Sequence, residues 1–150
     1  EEMAKSHERD GRTKNAITIF DTPFGFEELD RFHSFHNLVL RMLQGDEERR
    51  PMPAGFLRRL FDVWEAYEHE HRLIERSSSG ASLEEVKRQA SWRRWRWMLV
   101  YGLRDFAKKH GDWKEDIADV QKRILDEKEP LEDRLGAPLR WVELMLRKED

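Results

Sequence analysis

The stretch Ser82–His110, SLEEVKRQASWRRWRWMLVYGLRDFAKKH, decides the fold. Leu83, Val86, Trp92, Trp95, Leu99, Leu103 and Phe106 recur at helical spacing and draw one apolar stripe along a helix. A half-buried strand would alternate every second residue, and no such run occurs. Ser82 with Glu85 three residues on forms a capping box that starts the helix by satisfying its free backbone donors. His110-Gly111-Asp112 breaks it near Lys109.

Outward from this helix the pattern repeats. Ser77-Ser78-Ser79-Gly80 reads as a flexible connection between antiparallel helices. Before it, Phe56 or Leu57, Leu60, Phe61, Trp64, Tyr67 and His71 predict a helix from Ala54 to about Arg76. Asp46 to Pro53 is a charged loop. Asp21-Thr22-Pro23 reads as the start of the first helix, whose stripe is Phe26, Leu29, Phe32 or His33, His36, Leu40 and Leu43, with Gly45 ending it. After the break, Asp112 is expected to cap a fourth helix with Trp113, Ile117, Val120 and Ile124 inward and acidic residues in its first turn. A turn region over Pro130 to Pro138 precedes a terminal helix on Leu139, Val142 and Leu146, with Trp141 a further candidate for its inner face. The expected fold is all-α, a single-domain bundle of about five helices over residues 22–150, preceded by a polar, flexible segment over 1–21.

The chain has 150 residues, no cysteine and 39% charged side chains, so disulfides and cysteine-built zinc sites are excluded. No window approaches the length of apolar sequence that a membrane span needs, and no signal-peptide core is present, so the expectation is a cytoplasmic protein without a membrane partner. The net charge of −3 conceals a polarised distribution. Residues 82–110 hold eight cationic side chains against three carboxylates, a net +5, while residues 1–81 and 111–150 each carry −4.

Within the basic helix, Arg93, Arg96, Arg104 and Lys108 recur along one stripe with Val100 between; Trp97 lies at its edge, and Arg94 and Tyr101 neighbour Trp97. Guanidinium groups contact phosphate oxygens bidentately, and aromatic faces stack on unpaired bases, so this composition suits single-stranded nucleic acid. The plainer reading is a solvated outer face. Arg58 and Arg59 form a second basic point that docks beside the stripe if the two helices pack that way; ion pairs to Asp62 or Glu65 are the alternative.

Arg104 and His110 resemble the motif of HEPN-type ribonucleases, which are also all-α. That resemblance implies a metal-independent ribonuclease in which Arg104 stabilises the charged phosphorane and His110 moves a proton. At a helix end a histidine also has the simpler task of complementing the dipole. His33 and His36, with Glu65, Glu68, His69 and His71, raise a metal question. However, the single Glu-x-x-His spacing lacks the second copy that a di-iron bundle needs, so no metal and no cofactor is expected. No phosphate-cradling glycine loop and no Gly-x-Ser-x-Gly elbow is present.

Three stretches in order, Met52-Pro53-Ala54-Gly55-Phe56-Leu57-Arg58-Arg59-Leu60, Leu99-Val100-Tyr101-Gly102-Leu103-Arg104 and Leu139-Arg140-Trp141-Val142-Glu143, resemble the motifs of the small helical subunits of type III CRISPR effector complexes. The chain departs from that family at Gly55-Phe56, where Ser-Gln is usual, and in lacking overall basic character. The resemblance implies a non-catalytic subunit, active in antiviral defence, that stacks along a ribonucleoprotein filament. It would hold RNA or single-stranded DNA through Arg58, Arg59, Arg93, Arg96 and Arg104, and its acidic segments would meet other subunits, including copies of itself. The nucleic-acid contacts expected from sequence are thus Arg58, Arg59, Arg93, Arg94, Arg96, Trp97, Arg104 and Lys108. A protein-interaction module without nucleic acid is the third alternative.

Overall fold

The computed structural model describes residues 16–20, 22–77, 94–126 and 134–148. The described elements are β1 (Ala16–Ile19), β2 (Thr22–Gly25), α1 (Phe26–Gln44), α2 (Ala54–Ser77), α3 (Arg94–Lys109), a 3₁₀ turn (Gly111–Trp113), α4 (Lys114–Ile124) and α5 (Gly136–Lys148). Among the described residues, five α-helices surround one main core, and strand is confined to the short hairpin, so the fold is an all-α bundle. The Ser82/Glu85 capping box, the Ser77–Gly80 connection beyond Ser77, Trp92, Arg93, the Asp21 cap, the N-terminal fifteen residues and Pro130 lie outside the described residues.

The first expected helix starts later than the sequence reading has it. Thr22 and Pro23 belong to β2, which pairs antiparallel with β1 in the register Ile17 to Phe24 and Thr18 to Pro23. A two-stranded ribbon has only edges, so the N–H that proline lacks costs it little there. The alternation drives Phe24 inward to 1% exposure, and it packs with Phe32 and Ala137 in a small satellite core. α1 then begins at Phe26, which is exposed rather than part of the stripe. Glu28 closes the helix start by accepting the Gly25 N–H at 2.8 Å, and the same carboxylate is ion-paired with Arg134 ahead of α5.

α1 ends at Gly45, whose φ of 77° and N–H donation to the Arg41 carbonyl make the turn into the charged loop. A Cβ there would lie 2.8 Å from the Pro51 nitrogen, so the loop closes only over glycine. The buried face of α1 is Phe32, Phe35, His36, Leu38, Val39, Met42 and Leu43, displaced around the helix from the predicted stripe, of which Leu29 and Leu40 are only half-buried. The reason is that α1 packs on two sides. Arg41 reaches Asp116 and Arg123 donates to Ser34, which runs α4 antiparallel along one flank, while α5 covers another.

α2 and α3 are antiparallel neighbours, because Phe56 meets Phe106, Arg59 lies over Gly102, and Tyr67 meets Trp95 edge-on at 5.4 Å. This is the packing the sequence predicts. Trp95, Leu99 and Leu103 are buried and Phe106 half-buried, again as the helical period requires. α4 buries Ile117, Val120 and Ile124, with Trp113 just before it. Asp112 does not cap α4: it sits inside the 3₁₀ turn, and Trp113 occupies the cap position without a side-chain hydrogen bond. Glu115 and Asp116 fill the first turn as expected. In α5, Leu139 and Val142 are buried, whereas Trp141 remains 41% exposed.

Candidate nucleic-acid interface

The inner stripe of α3 fixes its outer one. With Trp95, Leu99, Gly102 and Leu103 against the core, Arg94, Trp97, Tyr101, Arg104 and Lys108 follow at spacings of three and four along the opposite surface, and all five are exposed. Trp97 and Tyr101 stack in parallel, with ring centroids 5.3 Å apart and planes 9° from coplanar. They are 55% and 50% exposed, and Val100 beside them is 37% exposed. Such a patch departs from ordinary surface composition, where large aromatic rings occur singly.

The electrostatics of this face are one-sided. α3 carries Arg94, Arg96, Arg104, Lys108 and Lys109 against Asp105 alone. Among the described residues, no carboxylate lies within ion-pair distance of Arg94, Arg104 or Lys108. A guanidinium or ammonium group beside an open aromatic surface, with its charge not neutralised by a neighbour, can take phosphate oxygens as partners.

The other expected contacts are placed as follows. Arg96 sits at the edge of the face, its guanidinium 5.2 Å over the buried Trp95 ring. Arg58 is exposed but pairs with Asp62 at 3.2 Å, the alternative that the i, i+4 spacing offers. Arg59 is half-buried and lies across α3 at Gly102, where a Cβ would come within 2.8 Å of Arg59 Cδ. The missing side chain at Gly102 is what lets this arginine cross the helix. Arg93 falls outside the described residues. Tyr101, absent from the expected contacts, joins the face as the stacking partner of Trp97; the signal was its position four residues on.

His110 follows α3 and donates its backbone N–H to the Phe106 carbonyl, while its ring lies over Phe106 at 6.2 Å and 24°. Arg104 is fully on the outer face. On α2, His69 and His71 are exposed, His71 stacks with Tyr67, and Glu68 reaches toward Arg72. Among the described residues, no three His, Asp or Glu side chains gather as metal ligands, and no helix is long and apolar enough to cross a membrane. A cleft of about 240 Å³ lies between α1 and the end of α4, lined by Asp30, Arg31, Ser34, Arg123 and Asp126, a set of both charge signs. No family model, no curated protein and no solved structure matches the chain.

Proposed function

We propose that the chain is a non-catalytic helical subunit that binds single-stranded nucleic acid along the outer face of α3, within a ribonucleoprotein assembly. The observation that carries this reading is the parallel, exposed Trp97–Tyr101 pair set between Arg94, Arg104 and Lys108. Each part has a chemical counterpart in a single strand. Cations neutralise phosphates without reading sequence, and a flat aromatic surface receives an unpaired base whatever its identity. A duplex hides its base faces in its own stack, so the aromatic pair favours the single strand. The resemblance of three short stretches, in order, to motifs of type III CRISPR small subunits supports an assembly role, in which the acidic remainder of the surface meets other protein subunits or further copies.

Fluorescence anisotropy with labelled RNA and DNA oligonucleotides, single-stranded and duplex, tests the reading. Replacing Arg94, Arg104 and Lys108 by Ala is expected to weaken single-strand binding and flatten its salt dependence. Replacing Trp97 and Tyr101 by Ala is expected to remove the preference for single strands. Unchanged affinity in both variants overturns the reading and leaves α3 as a protein-docking surface. Metal-independent RNA cleavage that His110→Ala abolishes would instead favour the ribonuclease alternative built on Arg104 and His110.

A further inference from the structure

A second region of the molecule holds chemistry that nucleic-acid binding does not use. His36 is 5% exposed, the one buried ionisable side chain among the described residues. Its ring lies parallel to Phe32 (6.5 Å, 3°) and edge-on to Trp141 of α5 (5.9 Å, 84°), and Trp141 in turn meets Phe20 at the hairpin turn (6.2 Å, 73°). The imidazole therefore sits where α1, α5 and the hairpin join.

Its protonation state follows from a short relay. Asn37 Nδ2 lies 3.0 Å from His33 Nδ1, and Asn37 Oδ1 lies 3.3 Å from His36 Nδ1. With the amide so oriented, Asn37 donates to His33 and accepts from His36, which puts the His36 proton on Nδ1. Nε2 is then a bare acceptor, buried without a partner among the described residues. A second proton on His36 would create a buried N–H with no acceptor and a charge in an apolar joint.

We propose that the His33–Asn37–His36 relay makes the junction of hairpin, α1 and α5 acid-labile, loosening it as pH falls below neutrality. Burial holds the His36 pKa below the ordinary histidine value; the Asn37 hydrogen bond opposes this, and the His33 charge adds to it. Among the described residues, no neighbouring carboxylate offsets the new charge. From α1 the titratable group facing His36 is His33; α5 presents Trp141, and its adjacent charged residues are engaged elsewhere, Arg140 over Trp64 and Glu143 with Arg147. Arg134, which precedes α5 and lies over the hairpin's Phe24 ring, is held by Glu28.

The sign follows from linkage. A base whose folded pKa lies below its unfolded value contributes nothing when both states are neutral. It destabilises the folded form as pH falls below 6.5, until the folded pKa is passed. Within that window the opening constant rises by up to about tenfold per pH unit. Hydrogen exchange on the full chain, corrected for intrinsic rates, should show faster opening of residues 16–20, 22–25 and 136–148 at pH about 5 than at about 7.5. His36→Leu should flatten that dependence, and His69→Ala should keep it. An NMR titration of the wild-type imidazoles decides the matter even if His36→Leu does not fold, with His36 expected to titrate below 6.5. A His36 that titrates at or above that value, or a pH dependence of opening that His36→Leu retains, overturns the proposal.

Discussion

At the α4 end of the bundle, Arg49 lies 3.7 Å over the Trp113 ring, while on α3 Arg94 and Arg104 flank the stacked Trp97 and Tyr101. Both places are built from arginine and aromatic rings, and their surroundings differ in every other respect. Arg49 is held by Asp46 at 2.6 Å and by Asp116 at 2.5 Å, and Asp116 also takes Arg41. Trp113 is 2% exposed, and its indole N–H donates to the Arg50 carbonyl. The Arg49 Nε, Nη1 and Nη2 groups and the Trp113 indole N–H each have an acceptor within the chain, so the cluster clamps the charged loop onto α4. On α3 the rings face solvent and the cations lack carboxylates among the described residues. Residue type alone does not distinguish an arginine held within the fold from one left open on the surface; neutralisation and burial do.

The largest expected effect separates the two tryptophans. Trp113→Ala removes a fully buried ring and should cost about 3–5 kcal/mol of stability in urea unfolding. Trp97→Ala should change stability by no more than about 0.5 kcal/mol, since the ring contributes surface rather than core. Equal losses at the two positions would erase the contrast.

Two glycines sharpen it next. At Gly136 a Cβ would lie 2.6 Å from the rigid Trp64 ring, so Gly136→Ala should cost about 1–3 kcal/mol. At Gly102 the obstacle is the flexible end of Arg59, and alanine's better helix propensity, about 1 kcal/mol, offsets the displacement. Gly102→Ala should leave stability nearly unchanged while moving Arg59 off the helix, and its effect on oligonucleotide affinity reports whether Arg59 adds to the α3 face.

The smallest effect concerns the hairpin side. Burial raises the Glu28 pKa, but the hydrogen bonds from Gly25 and Arg134, with the charges of Arg134 and Arg31, outweigh it and lower the pKa overall. A carboxylate lowered on folding contributes stability above its unfolded pKa and loses it as pH falls through the folded value. Acid unfolding of Glu28→Gln should therefore show a shallower decline below about pH 4.5 than that of the wild type.

Long apolar periods were legible in the sequence because each has one dominant face. α4 reads Trp113, Ile117, Val120, Ile124, and those residues are the ones buried; α3 reads Trp95, Leu99, Leu103 and is oriented accordingly. The hairpin was hidden because Thr22-Pro23 serves a helix start and an edge strand equally well, and only the pairing with β1 decides between them. The inner face of α1 was misplaced for a related reason, since a helix packed on two flanks hides Phe35, Leu38, Val39 and Met42 and leaves Leu29 and Leu40 only half-buried. At the candidate site the density of arginine singles out α3, but it does not show which cations are engaged within the chain. Arg96 turns onto Trp95, Arg58 onto Asp62, and the open face centres on Trp97 and Tyr101, because ring stacking and ion pairs are settled by tertiary neighbours.

The most direct test is the salt dependence of single-stranded oligonucleotide binding, measured for the wild type and for the Arg94→Ala/Arg104→Ala/Lys108→Ala and Trp97→Ala/Tyr101→Ala variants. With each phosphate contact contributing a slope of about 0.7 in log affinity against log salt, the basic variant should lose a slope of about 2. The aromatic variant should keep its slope and lose about 1–3 kcal/mol per stacked base, close to tenfold or more in affinity. Identical slopes and affinities across all three proteins would contradict the account.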